Sequence, residues 1–208
     1  MSGKGVFISF EGIDGSGKST QARRLTNTLH DAGFDVVLTR EPGGSAGAEE
    51  IRKLVLEGDP DRWSAETELL LFTAARRDHL ERLILPALKA GKVVICDRFA
   101  DSTRMYQGLR GADLREKVDL LHEVMIGHEP DITVLVDMDP EIGLKRALAR
   151  QGGEERFEQF GADLQQQMRT GFLALAKAAP DRYVVVNGGR DEDTVADEIA
   201  GIVSSRLR

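Results

Sequence analysis

Five short apolar runs rich in β-branched or aromatic residues punctuate the chain: VFISF (6–10), DVVLT (35–39), KVVIC (92–96), DITVLVD (131–137) and YVVVN (183–187). They are continuous rather than alternating, which is the pattern of strands covered on both faces of a parallel sheet. Between them the period becomes helical. Leu114, Val118, Leu121 and Met125 fall at i, i+4, i+7 and i+11, and Val195, Ile199, Ile202 and Val203 at i, i+4, i+7 and i+8. Each set predicts an amphipathic helix packed on the sheet. Asp139 before Pro140 predicts an N-cap followed by proline at the first helical position, and NGGRDED predicts a turn into the last helix. Longer helical insertions are expected around 64–90 and 140–180. The βα alternation implies a three-layer α/β domain with right-handed crossovers and ligands at the carboxyl ends of the strands.

Composition narrows the picture. The 208 residues are 41% hydrophobic and 30% charged, which suits one domain over residues 1–208. No internal repeat or linker divides it, and the glycine-rich RQGGEERFEQFG (150–161) is the segment expected to move. The net charge of −7 argues against a general nucleic-acid coat or an anionic-membrane surface. Any anion site must therefore be local. One cysteine, Cys96, permits no internal disulfide and no multi-cysteine metal site, and a reducing cytoplasm is the expected compartment. No run approaches the roughly 20 apolar residues of a membrane span, and no cleavable leader pattern is seen, so neither export nor insertion is expected.

The first chemical motif is EGIDGSGKST (11–20), directly after the first predicted strand. Gly12, Gly17, Lys18 and Ser19 satisfy G-x-x-x-x-G-K-[ST], and Ala22, Leu25 and Leu29 predict the helix that follows. The glycines let backbone N–H groups of Gly12, Ile13, Asp14, Gly15, Ser16, Gly17 and the helix start through Thr20 turn toward phosphate. Lys18 reaches the β and γ phosphates, and the Ser19 hydroxyl is a Mg²⁺ ligand. Neither asparagine, Asn27 or Asn187, lies in an N-K-x-D setting, which weighs against a GTP switch. A small-molecule kinase is left in front. Asp14 is anomalous in such a loop, because a carboxylate repels phosphate; it is either an accident of the match or faces something other than the phosphates.

TREPGG (39–44) follows the second strand and CDRF (96–99) ends the third, so Arg40 and Arg98 should open beside the phosphate loop as an anion site. The alternative is that they pair with neighbours such as Glu41 and Asp97. Asp97 closes an apolar strand, where P-loop enzymes keep the carboxylate that holds Mg²⁺ or its water; a helix N-cap is its other reading. In ELLLFTAARRDH (68–79), Phe72 and Arg76 are four apart and share a helical face that suits a nucleobase, the ring stacking while the guanidinium donates to a carbonyl. Phe72 as plain core is the competing reading. In DSTRMYQ, Ser102 and Tyr106, like Thr103 and Gln107, are also four apart and offer a polar face to a base edge.

Together FEGIDGSGKST, LTREPGGS, ELLLFTAAR, CDRFADSTRMYQG, PDITVLVDMDPEIGLKRALAR and ERFE resemble the thymidylate kinase family, P-loop nucleoside monophosphate kinases that phosphorylate dTMP with ATP. The resemblance spans nearly the whole chain. It implies a P-loop NTPase fold with a five-stranded parallel sheet flanked by helices, a short lid about 146–160, and usually a homodimer. It further implies that Phe72 stacks on thymine, Arg76 donates to the base, and Ser102, Thr103 and Gln107 lie near its edge. Tyr106 would crowd the 2′ position, Arg40 and Arg98 would hold the acceptor phosphate, and Asp14 would accept from the 3′-hydroxyl. The bacterial pattern takes its catalytic arginine from the lid, where Arg146, Arg150 and Arg156 stand; Arg150 is expected to stabilise the transferring phosphoryl, against the reading of a solvated arginine. Lys18, Arg98, Asp97 and Arg150 are thus the expected catalytic set, with Ser19 and Asp97 for Mg²⁺. Met105 departs from the family in standing where a small residue is expected. The rivals are a kinase for another small acceptor and a non-catalytic nucleotide-binding module.

Overall fold

In a computed structural model of the chain, which describes residues 5–59, 62–111, 113–149 and 161–207, the five apolar runs pair as one parallel sheet. The strands are β1 (Val6–Glu11), β2 (Val36–Arg40), β3 (Val93–Asp97), β4 (Ile132–Asp137) and β5 (Tyr183–Asn187), in the order β2-β3-β1-β4-β5. Each lies within one residue of its predicted run. The strands interleave with α1 (Lys18–Asp31), α2 (Ala46–Leu56), α3 (Ala65–His79), α4 (Leu85–Lys89), α5 (Ala100–Tyr106), α6 (Leu114–Leu121), α7 (Pro140–Leu148), α8 (Gly161–Ala178) and α9 (Glu192–Arg206). None of the described helices is long and apolar enough to cross a membrane.

Strand alternation divides the core. Ile8 and Phe10 join Ile95, Val134, Val136 and Val186 on the face covered by Leu25 and Leu29 of α1 and Val195, Ile199 and Val203 of α9. Phe7, Val94 and Cys96 point the other way, onto Leu80, Ile84, Phe99 and Ile126. Every strand then ends in a polar residue at the same edge: Glu11, Arg40, Asp97, Asp137 and Asn187. The register sets Phe10 beside Asp97 and Asp97 beside Arg40. The apolar interior therefore gives way at one edge to titratable groups, and β1 stands at its centre.

Helix starts follow the sequence closely. Asp139 Oδ1 accepts from the N–H groups of Glu141 (3.0 Å) and Ile142 (3.3 Å), and Asp191 Oδ1 from Asp193 (3.0 Å) and Thr194 (3.1 Å). Each cap contributes about 1 kcal/mol. The stripe predicted through Met125 is a correction. Leu114 and Val118 are buried as expected, but a π-helical turn over His122–Ile126 continues α6. That wider turn advances the register by one residue, so Ile126 is buried and Met125 is 46% exposed. A second π turn, Leu80–Ile84, joins α3 to α4. It lies just before Pro86, whose missing N–H and bulky ring oppose a regular α-turn there.

Candidate active site

The loop from Gly12 to Gly17 leaves β1 at the polar edge and enters α1 through Gly17, whose φ of 95° is left-handed. Gly15 is forced by space as well as by its φ of 74°: a Cβ there would lie 1.9 Å from the Gly143 carbonyl of α7. The Lys18 ammonium folds back to donate to Ile13 O at 3.3 Å and sits 3.9 Å from Asp14 Oδ1. Ser19 follows, half-buried on the first turn of α1.

Two concavities flank this loop. On one side a cavity of about 520 Å³ is lined by Gly15, Ser16, Gly17 and Thr20, by Arg146 of α7, and by Gly188 and Arg190 after β5. Arg190 and the 188–192 turn were read from the sequence only as a connection. A glycine-rich turn leaving a strand at the same sheet edge as the phosphate loop was the available signal. Gln21 ties the two walls together, its amide donating to Glu192 O at 3.0 Å. Arg150 and Arg156 lie outside the described residues.

On the other side is a cleft lined by Asp14, Phe72, Arg76, Arg98, Ser102, Thr103, Tyr106 and Gln107. Eight of the nine residues expected for the acceptor thus line one concavity. The exception is Arg40. Its strand, β2, is at the sheet edge with Leu38 and Arg40 turned outward and Thr39 inward, so Arg40 is half exposed and pairs with Glu49 of α2 at 3.1 Å. The pairing alternative applies to Arg40, although the partner is Glu49 and not Glu41.

Asp14 is the hub. Its Oδ1 accepts from Arg98 Nη2 at 2.5 Å, and its Oδ2 from the Tyr106 hydroxyl at 2.6 Å and Gln165 Nε2 at 3.2 Å. The Gln165 carbonyl accepts the Asp14 backbone N–H in return at 3.3 Å. Burial alone would raise the Asp14 carboxyl, but the cationic Arg98 and Lys18 outweigh it and hold the group below its ordinary range. Arg98 itself sits at φ 71°, a left-handed conformation that costs a non-glycine residue about 1 kcal/mol or more. Its guanidinium spans Gly12 O (3.4 Å), Ser102 Oγ (3.0 Å), Asp14 and the Tyr106 hydroxyl (3.1 Å), which secures that conformation.

Two buried acids, Glu11, which the sequence reading passed over, and Glu41, which it named only as a pairing partner for Arg40 or Arg98, stand behind these arginines. Glu11, the last residue of β1, accepts from the Phe99 N–H at 2.8 Å and the Ser102 hydroxyl at 2.6 Å. Burial, reinforced by the charge of Asp101, pushes its carboxyl up to about 8. Glu41 accepts from Arg76 Nε at 2.7 Å. Arg76 Nη2 donates to Phe99 O at 3.1 Å and Thr103 Oγ1 at 2.9 Å, and Gln107 donates to Glu68 at 2.8 Å. A polar residue closing or directly following an apolar strand was the signal for both acids. Asp97 caps no helix: α5 begins after Phe99 without a side-chain cap. Instead, Asp97 Oδ1 is buried with no hydrogen-bond partner among the described residues. Met105 is buried against Ile13, Met168 and Phe172, and Gly171 makes room for its sulfur, since a Cβ at Gly171 would lie 2.4 Å from it.

Comparison with known proteins matches residues 10–199 to the family model described as thymidylate kinase. The thymidylate kinase of Ruegeria pomeroyi is 71% identical over 207 residues, covering 100% of this chain and 98% of the relative. That of Dinoroseobacter shibae is 65% identical, covering 96% of each chain. The crystal structure of thymidylate kinase from Ehrlichia chaffeensis superimposes with a TM-score of 0.78 at 36% identity, covering 97% of this chain and 99% of the other.

Proposed function

The chain belongs to the thymidylate kinase family, and it transfers a phosphoryl group from ATP to dTMP to give dTDP; from that premise we propose how its own residues divide the work. The observation that carries the assignment is the two-sided phosphate loop. Its backbone lines the cavity of Arg146 and Arg190, while the Asp14 carboxylate turns into the cleft of Phe72 and Arg76. The donor occupies the first and the acceptor the second.

On the donor side, backbone N–H groups from Gly12 to Thr20 hold the phosphates at the start of α1, and Lys18 turns from Ile13 O to the β–γ bridge. Arg146 and Arg156 add charge along the donor, and Arg150 meets the transferring phosphoryl. The oxygen donors Ser19 and Asp97 fit Mg²⁺: a hard cation takes oxygen ligands, and the orphaned Asp97 Oδ1 offers one, directly or through water. When bound, the ion supplies charge neutralisation on the β and γ phosphate oxygens.

On the acceptor side Phe72 stacks on thymine, and Arg76, held through Nε and Nη2, offers Nη1 to a base carbonyl. Thr103 orients Arg76, Ser102 orients Arg98, and Gln107 closes the base edge. Tyr106 occupies the space a 2′-hydroxyl would need, and Asp14 accepts from the 3′-hydroxyl. Arg98, rather than the outward Arg40, carries the acceptor phosphate. That phosphate is ionised at neutral pH, so no strong base is needed. One of its oxygens bonds to the γ phosphorus as the bond to the β–γ bridging oxygen breaks, and ADP leaves with the electron pair. Positioning and charge supply the rate.

The chain works as a cytoplasmic homodimer in this reading. Leu70 of α3 and Leu120 and Val124 along α6 and its π turn are 57%, 60% and 68% exposed. The two helices are tied by Arg77 Nη1 donating to Met125 O at 2.7 Å, so these side chains offer an apolar face to a second copy. Cys96 is buried and its thiol is pushed well up by burial, which suits a reducing compartment. A coupled ADP-release assay across nucleoside monophosphates tests the acceptor assignment: dTMP should lead clearly, and equal rates with CMP overturn it.

A further inference from the structure

Behind the acceptor cleft runs a buried chain of side chains from two segments, the end of β2 and α3. Thr39 Oγ1 lies 2.8 Å from His79 Nε2, His79 Nδ1 lies 3.1 Å from Glu41 Oε1, and Glu41 Oε2 accepts from Arg76 Nε at 2.7 Å. His79 is 0% exposed and Glu41 6%. The proton inventory fixes one end of this chain. The Glu41 carboxylate, paired with Arg76, only accepts, so His79 carries a proton on Nδ1, while the Thr39 hydroxyl, able to donate or accept, meets Nε2. The second glycine of TREPGG belongs to this arrangement: a Cβ on Gly44 would lie 2.3 Å from His79 Nε2 and 2.4 Å from Thr39 Oγ1.

Cys96 Sγ, with donor atoms of Glu41 and His79, falls in a set within 4.8 Å of one another, the spacing of a metal site. The bonding points elsewhere. Both His79 nitrogens and both Glu41 oxygens already have protein partners, Arg76 places a cation on the same carboxylate, and the Cys96 thiol donates to Arg98 O at 3.0 Å. The cluster is held by protons.

We infer that His79 is a positioning residue for base selection, acting through Glu41 to hold the Arg76 guanidinium in the one orientation that donates to a pyrimidine carbonyl. The inference rests on the reading that Arg76 reads the base. Glu41 has a bond to each side, and with His79 removed it pivots and carries Arg76 with it. A fixed donor rejects cytosine, which presents an amino group where thymine presents a carbonyl; a donor free to turn away tolerates it. His79 thus serves discrimination more than turnover.

The test is the ratio of kcat/KM for dTMP to that for dCMP. His79→Leu should lower it about tenfold, the scale of one misplaced hydrogen bond from a charged group, mostly through the KM for dTMP. His79→Asn, whose amide stands near the Nδ1 position and donates to Glu41, should recover most of the ratio. Arg76→Met tests the underlying reading. If the ratio survives Arg76→Met, base reading by Arg76 is wrong; if it collapses there but survives His79→Leu, only the role of His79 is overturned. Loss of kcat with both substrates at an unchanged ratio also overturns it, because that is general damage. Should His79→Leu fail to fold, Thr39→Val, which removes only the outer end of the chain, should lower the ratio about threefold, and an unchanged ratio counts against the proposal.

Discussion

Replacing Arg98 by lysine keeps the charge and removes the fork, which makes it the sharpest test of the acceptor site. The guanidinium spans four oxygens: Gly12 O at 3.4 Å and Ser102 Oγ at 3.0 Å from Nη1, and Asp14 Oδ1 at 2.5 Å and the Tyr106 hydroxyl at 3.1 Å from Nη2. A single ammonium can hold Asp14 but not the whole span. Ser102 keeps Glu11 and Tyr106 keeps Asp14 as partners, so neither hydroxyl is orphaned. The lost neutral bonds cost about 1–2 kcal/mol of stability, and a chain of this length should lose about 2–8 °C in Tm. Catalysis should suffer more. If the fork grips the acceptor phosphate, losing one of its two charge-assisted bonds removes about 1.5–3 kcal/mol from the transition state, or about 10- to 150-fold in kcat/KM for dTMP. ADP release at saturating ATP with dTMP varied, beside a thermal melt, reads both quantities. A kcat/KM within twofold of wild type, with the expected drop in Tm, would refute the assignment of Arg98 to the phosphate. Arg98→Gly is the companion variant. It relieves the left-handed backbone at φ 71° and should therefore melt higher than Arg98→Ala while being equally inactive.

Lys18→Ala should lose nearly all turnover in the same assay; near-normal turnover would sink the electrostatic mechanism. Phe72→Ala should chiefly raise the KM for dTMP, and an unchanged KM would return Phe72 to the core. Burial lifts the Glu11 carboxyl from 4.5 to about 8, so the folded chain holds a proton that the unfolded chain has released. Its contribution to stability is full below pH 4.5 and is lost as pH rises to about 8. Glu11→Gln should gain Tm relative to wild type across that window, and a pH-independent difference would contradict the protonated state.

The strands and most helix starts were legible because their signals are local: continuous apolar runs, an Asp-Pro cap, and a glycine loop with one strand and one helix around it. The acceptor cleft was legible because its parts fall four apart on single helices, as Phe72 and Arg76 do. What escaped depends on pairs made across the fold. Gln165 reaches Asp14 from 151 positions away, and nothing around Gln165 marks it. Arg40 pairs in register with Asp97 and closes the edge strand β2, where its side chain meets Glu49, whereas Arg98 stands one residue beyond β3 and turns inward at a left-handed φ of 71°. Met125 followed the α-helical period, and a π turn broke that period one residue early.

The charge pattern of the cleft explains why an acidic protein can bind an acceptor anion there. Each inward arginine has its own carboxylate, Arg76 with Glu41 and Arg98 with Asp14, so the pairs cancel as charges and remain as directed donors. Glu11, beneath both, keeps its proton at neutral pH because burial raises it, and it adds no negative charge to the site. Recognition of the acceptor is therefore a matter of geometry: a fixed fork, a stacked ring and a carboxylate hub. The surplus positive charge that the reacting phosphates need comes from the donor side, where Lys18 leans 3.9 Å from Asp14 and Arg146 lines the cavity. Asp14 sits at the seam. It neutralises Arg98 for orientation, restrains Lys18 until donor phosphates compete for it, and offers the acceptor sugar a hydrogen-bond acceptor, which is why a carboxylate belongs in a loop otherwise built for phosphate.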